Sequence, residues 1–229
     1  MILSDRDFKK RLTTLERVGL KPYFLEEVAR GKIPRKLELA LKKGKIIIDP
    51  LPPTSALDAD TIDLRFGTEI EIADTILEVV KIDGRRVIRR LTRDYRNNNI
   101  NLLEKTRKVS IEDEHRIKFT IDHDETVELQ PGMLALAHTL EIICVPYDIQ
   151  MELNGKSRLA RDGMTSHVSS PIFHAGWVGH AVLEVINISQ KNFNIYPGLP
   201  FAAASFRQLS SPAQVPYIMK KGARYSGQR

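Results

Sequence analysis

The sequence predicts an all-β protein carrying helical additions at its N-terminus. From Ile46 onward, short runs of β-branched and aliphatic residues are separated by Pro, Gly, Asn and Asp. Before Ile46 the apolar residues recur at helical spacing within lysine-rich stretches. Many short strands with frequent turn signals indicate a sandwich or a barrel. A chain of 229 residues is long enough for one well-buried core, because all-β single domains commonly reach this size. One domain over residues 1–229 is therefore expected.

The elements follow in order. Ser4 is placed to cap a first turn, with Asp7 three residues on as a variant capping box, and Phe8, Leu12 and Leu15 continue at helical spacing. A second helix opens at Pro22 and a third at Pro34, where Leu37, Leu39 and Leu41 precede a Gly44 stop. Amphipathic and rich in lysine, these helices read as a surface addition to a core further on. The expected strands are Ile46 to Ile48, Ile62 to Phe66, Ile76 to Val80 and Ile117 to Ile121, then Leu134 to Leu140, Ile142 to Val145, Ala181 to Ile186 and Phe201 to Phe206. Thr92 to Glu112, with Asn97 to Asn99 inside it, is polar enough for a flexible loop, and there is no internal repeat.

Hydrophobic residues at 42% and charged residues at 28% exclude the disordered class. The formal charge of +6 favours an anionic partner. Basic residues cluster in separate stretches, Lys9 to Arg11, Arg35 to Lys45, Arg85 to Arg90 and Lys220 to Arg229. Scattered clusters suit a triphosphate at least as well as a duplex, and nucleic acid is not an expected partner. A single cysteine, Cys144, excludes an intramolecular disulfide and a multi-thiolate metal site. The N-terminal residues lack a signal-peptide layout, and the most apolar stretch, Met133 to Val145, is broken by His138 and Glu141. No membrane segment and a cytoplasmic location are expected.

Two motifs fail on inspection. His123-Asp124-Glu125 has the H-x-E spacing of zinc nucleoside deaminases, which also need two cysteines that this chain lacks. His123 is better read as a turn residue between strands. Gly155-Lys156-Ser157 resembles the end of a P-loop, yet Gln150 stands where its first glycine is required. His174 and His180 could share a locale, but structural or surface roles suit them better than a metal site.

A third pattern is more extensive. Pro131 to Ala137 and Thr139 to Glu141, Asn154-Gly155-Lys156-Ser157-Arg158-Leu159-Ala160-Arg161, His167-Val168 and Ala175 to Glu184 resemble, in order and spacing, the dCTP deaminases of the dUTPase-like superfamily. Tyr196-Pro197-Gly198, Ala204 to Phe206, Leu209 to Ala213, Pro216-Tyr217, Arg224-Tyr225 and Gln228 continue the resemblance. Near the start, Met1 to Asp7, Gly44 to Ile46 and Asp63 to Gly67 are also similar to family segments. Residues 13–42 look like an insertion, and Glu69 to Glu128 is too divergent to align with the family.

The resemblance implies a dUTPase-like β-barrel or jelly-roll core, a homotrimer, and zinc-independent deamination of dCTP to dUTP and ammonia. It implies Glu184 as the catalytic base, with Ser157 and Arg161 positioning the water, the glutamate and the base of the nucleotide. Lys156 and Arg158 flank Ser157 at triphosphate contacts. Val168, Ser170 and Phe173 are implied around the nucleotide base, and Tyr217, Arg224 and Gln228 on a C-terminal stretch, Tyr217 to Arg229, that closes over the triphosphate. No catalytic cofactor is implied; Mg2+ would accompany the triphosphate as a counterion. Amid apolar neighbours, a partly desolvated Glu184 could acquire a proton affinity suited to shuttling.

Several residues depart from the family pattern: Lys156 where arginine is usual, Arg158 where a small hydroxyl is usual, Ile172 where arginine is frequent, and His174 where aspartate is common. Ser170 also replaces a residue whose backbone usually helps hold water and base. Alternatives stay open at this point: a bifunctional deaminase and dUTPase or a dUTPase-like diphosphatase, a non-catalytic nucleotide-binding relative, and regulation by dTTP.

Overall fold

The computed structural model describes residues 1–73, 77–82, 85–90, 110–113, 116–223 and 225–227. Helix α1, Asp5–Arg11, begins where expected: the Ser4 side chain accepts from the Asp7 backbone N–H, acids occupy its first turn and bases its last. It does not continue through Leu12. That residue is extended and, with Thr13, forms the two-residue strand β1, parallel to Ile46 and Ile47. Thr14 then caps a separate short helix, α2, Leu15–Val18. The helical spacing of Phe8, Leu12 and Leu15 is thus shared among three elements, because Leu12 gains a strand partner. Helices α3, Phe24–Ala29, and α4, Arg35–Lys42, follow Pro22 and Pro34, and Gly44 at φ 72° ends the helical segment.

The remaining strands are β2 (Ile46–Asp49), β3 (Thr61–Ala73), β4 (Leu77–Ile82), β5 (Arg85–Arg90), β6 (Ser110–Asp113), β7 (Arg116–Thr120), β8 (Glu125–Leu129) and β9 (Leu134–Cys144). Then come β10 (Ile149–Gly155), helix α5 (Ser157–Arg161), β11 (Ile172–Phe173), β12 (Val178–Ile186), β13 (Phe193–Ile195) and β14 (Pro200–Gln208). Among the described residues one sheet runs β1-β2-β9-β3-β14-β10-β11, with β12 also on β9 and β7 joining β3 to β6. A second sheet runs β13-β8-β5-β4. Pairing is mostly antiparallel; β1 with β2 and β5 with β8 are the parallel pairs.

The main core lies between the sheets, where Ile88, Val127, Leu129 and Ile195 of the smaller one meet Leu64, Phe66, Ala135, Leu183 and Phe201 of the larger. Phe66 and Phe201 stack with centroids 3.7 Å apart. The helices are more than a surface addition. Leu15, Phe24, Leu25, Val28, Leu37 and Leu41 form a second buried cluster with Ile47, Ile142, Cys144 and Val178 of the larger sheet. Cys144 is fully buried there, and desolvation pushes its thiol far above the ordinary range.

Two further expectations change. Leu134 to Leu140 and Ile142 to Val145 are one strand, β9. Glu141, the expected break, is fully buried, yet Arg65 on β3 donates to it from Nε (2.6 Å) and from its backbone N–H (3.0 Å). Burial raises the proton affinity of Glu141, and the Arg65 bonds and charge oppose that. Residues 92–109 of the expected loop lie outside the described residues, while Ser110 to Glu112 belong to β6. His123 falls in the exposed turn between β7 and β8, as its acidic neighbours suggested.

Candidate active site

The site begins with the alternation of β12. Ala181, Leu183 and Val185 are buried in the main core, so His180, Val182 and Glu184 project from the opposite side of the strand. Register carries that side across the sheet: Glu184 pairs with Leu136 on β9, Leu136 with Glu71 on β3, and Glu71 with Lys118 on β7. These four residues line a cleft of about 920 Å³, together with Ser170, Phe173, His174, Trp177, Tyr217 and Tyr225. A carboxylate, a cation and several aromatic rings thus face one space.

Glu184 is half-buried, and its Oε2 accepts a hydrogen bond from the Val168 backbone N–H at 3.1 Å. The segment supplying that N–H is fixed onto β12. Thr165 and Ile186 exchange two bonds, Thr165 N–H to Ile186 O and Ile186 N–H to Thr165 Oγ1, both 3.0 Å. The buried Ser166 hydroxyl donates to Phe201 O at 2.8 Å. Val168 itself is exposed, so its backbone is what serves the carboxylate.

Further lining comes from β11 and the hairpin after it. Phe173 meets Trp177 edge to face at 4.7 Å, and His174 stacks on Tyr217 at 5.8 Å. Gly176 permits that approach: at φ 81°, a Cβ there would lie 2.6 Å from Pro216 Cβ and 3.0 Å from the Tyr217 nitrogen. Ile172 is exposed and also lines the cleft. Four of the predicted site residues, Glu184, Ser170, Phe173 and Tyr217, therefore line one cavity.

Ser157, Arg158 and Arg161 do not line it. They are exposed on α5, which is anchored by Leu159 in the main core. Lys156, just before that helix, forms an ion pair with Asp63 on β3. Arg224 and Gln228 lie outside the described residues. Glu71, Lys118, His138, Trp177 and Tyr225 were not singled out as lining residues from sequence. The alternation of Glu69 and Glu71 with buried Ile70 and Ile72 was the available signal for Glu71.

A second, smaller cavity of about 310 Å³ lies between the start of α3 and strands β3, β9 and β12, lined in part by Glu26, Glu69, His138 and His180. Register shifts at Phe66/Ile70 and at His180/Val182 open the sheet here. The His180 Nδ1 lies 2.8 Å from Thr139 O, so that nitrogen carries the hydrogen, and burial lowers the proton affinity of the ring. His174 and His180 line different cavities, and His138 lines both. Among the described residues no group of three His, Cys, Asp or Glu is arranged to hold a metal ion, and no helix is long and apolar enough to cross a membrane.

Comparison with known proteins places the chain in a family. A dCTP deaminase from Buchnera aphidicola is 34% identical over 196 residues, 85% of this chain and 92% of its own. One from Thermomicrobium roseum is 32% identical over 196 residues, 85% of this chain and 88% of its own. The crystal structure of 2'-deoxycytidine 5'-triphosphate deaminase from Agrobacterium tumefaciens superposes with a TM-score of 0.50 at 14% identity, over 90% of this chain; the match spans about half, 47%, of that chain. This last likeness concerns the fold. A family model described as dCTP deaminase-like matches residues 34–209, which hold α5, the Val168 segment and the Glu184 strand, and with those relatives it shows that the chain belongs to the dCTP deaminase-like family.

Proposed function

We propose that this protein hydrolyses dCTP to dUTP and ammonia, with Glu184 as the base and without a catalytic metal. The observation that carries the proposal is a carboxylate held by a backbone N–H inside a large cleft with aromatic walls. Glu184 takes a proton from water as the water oxygen bonds to C4 of cytosine, and N3 is protonated. Glu184 passes that first proton to N3 and then carries the second proton of the added oxygen to the amino group, so the C4 carbonyl forms as ammonia leaves. Only the base and the positioned donors come from the protein.

Ser157 and Arg161 complete the site from a neighbouring copy in a homotrimer. Their exposure on α5, outside the cleft of their own chain, supports this arrangement. A heterologous contact that closes on itself places one such helix at each cleft. Lys156, Arg158, Arg224 and Gln228 are assigned to the triphosphate, with Mg2+ as its counterion, and Val168, Ser170 and Phe173 to the base. Residues 13–42 are an insertion into a single domain.

Glu184→Gln keeps the shape and a hydrogen-bonding head but removes the proton acceptor. Ammonia release from dCTP falls by about a hundredfold or more, while equilibrium binding of dCTP persists. Wild-type turnover in the glutamine variant would refute the base assignment. Pyrophosphate released from dUTP would instead indicate a diphosphatase, alone or as a second activity.

A further inference from the structure

Among the described residues the helical layer and the C-terminal tail meet at Ile218 and at Gly227. The first, Ile218, is buried in the same cluster as Leu25, Val28 and Val178. Its 3-10 turn, Tyr217–Met219, is fastened to the hairpin by Tyr217 N–H to Ala175 O (2.8 Å) and Ile218 N–H to Gly176 O (3.1 Å). The second is Gly227. Its N–H donates to Val178 O at 2.7 Å, and its φ is 78°.

A Cβ on Gly227 would lie 2.7 Å from the Ala29 nitrogen and 2.9 Å from the Leu25 oxygen, both backbone atoms of α3. Helix backbone cannot swing aside as the end of a side chain can, so this close approach requires glycine for steric and conformational reasons together. Between the two anchors the tail contributes Tyr225 to the lining of the cleft that Tyr217 and Glu184 also line.

We propose that α3 is the seat of the C-terminal tail and thereby a positioning element of the active site. Ile218 and Gly227 fasten the tail to the helical layer, and the fastening keeps Tyr217 and Tyr225 in the wall of the nucleotide cleft. The inference rests on reading that cleft as the dCTP site. Ordering the tail through contacts within the chain reduces the conformational entropy lost when nucleotide binds. The helical segment then acts on the chemistry through Gly227 without meeting the substrate.

The test compares Gly227→Val and Gly227→Ala with Gly31→Ala in the full chain. Gly31 has φ 77° and no atom within 4 Å of a built Cβ, so its variant loads the same helical segment with backbone strain alone. Dilute trypsin, followed by mass spectrometry for cleavage after Lys220 and Lys221, reads the docking of the tail. Steady-state kinetics with dCTP read its use. Gly227→Val is expected to speed cleavage and to raise KM, each by about tenfold or more, with kcat within about threefold of wild type; Gly227→Ala moves both in the same direction, and Gly31→Ala moves neither. Wild-type cleavage in Gly227→Val overturns the seat, and faster cleavage with unchanged KM overturns its positioning role. Should the wild-type chain release no ammonia, equilibrium binding of dCTP replaces KM with the same expected loss, so failure of the activity and failure of the seat remain distinct.

Discussion

Replacing Arg65 by methionine strips the guanidinium from a carboxylate that water does not reach. Glu141 is fully buried and Arg65 mostly so, and after the change Glu141 keeps bonds from backbone N–H groups, that of residue 65 among them, but no opposite charge from Arg65. Breaking a buried pair from one side costs about 3–5 kcal/mol. At the lower figure, with about 2–4 °C per kcal/mol for a chain of this size, the melting temperature falls by about 6–12 °C at pH 7.

The loss depends on pH, and the sign follows from Glu141. Burial already raises its proton affinity in the folded state, and removing Arg65 withdraws the opposing contribution. A folded carboxylate whose pKa is raised binds its proton more tightly than the unfolded chain does, so stability declines as pH rises from the ordinary glutamate value through the raised one. The gap between wild type and Arg65→Met should therefore narrow near pH 4.5 and widen toward neutrality. Thermal denaturation followed by circular dichroism, at fixed protein concentration across that range, measures it. Arg65→Met with Glu141→Leu should recover most of the loss, because no charge is left stranded. A single-variant loss below about 1 kcal/mol, the range of an exposed pair, a loss independent of pH, or a double variant no better than the single would each refute this account.

Mixing Ser157→Ala chains with Glu184→Gln chains, each inactive alone, should restore about one quarter of wild-type sites after random reassembly into cyclic trimers; no recovery after verified exchange would place both residues in one chain's site. Lys156→Met should raise KM for dCTP about tenfold with little change in kcat, the pattern of a lost binding contact; an unchanged KM would confine Lys156 to its ion pair with Asp63. Asn187→Ala should cost about 3 kcal/mol in urea denaturation, because this buried side chain donates to Leu129 O and Lys191 O and accepts from the Ser189 N–H and hydroxyl. A cost within experimental error would show that water replaces those bonds.

Local chemistry was legible where a residue acts on its own neighbours. Ser4, Pro22, Pro34 and Gly44 mark helix starts and stops close to where they occur, because caps and fixed φ angles are local causes. Strand β10 was missed although Ile149, Met151 and Leu153 alternate cleanly with Gln150, Glu152 and Asn154. The motif residues inside it drew attention to a turn instead. The unbroken course of β9 through Glu141 was not legible, since the group that makes it tolerable arrives from Arg65, far away in sequence. The site divides in the same way. Tyr217 and Glu184 lie in segments resembling the family, Ser170 and Phe173 fall between two such segments, and the four line one cleft, whereas Glu71 and Lys118 enter it through strand register, which only the folded sheet defines.

Cys144 gives the helical layer a gauge of its own. As the chain's only cysteine, buried beneath α3 and α4 in the second cluster, it reacts with a thiol reagent only through molecules in which that layer has lifted or the whole chain has opened. In native buffer, where closing outruns labelling, the ratio of its labelling rate to that of an unfolded peptide equals the population of the open form. Denaturant dependence then separates the lifting of the layer, which exposes little surface, from global unfolding, which exposes much. The same cysteine that excludes a disulfide thus makes the local stability of the helical layer measurable without a label engineered into the chain.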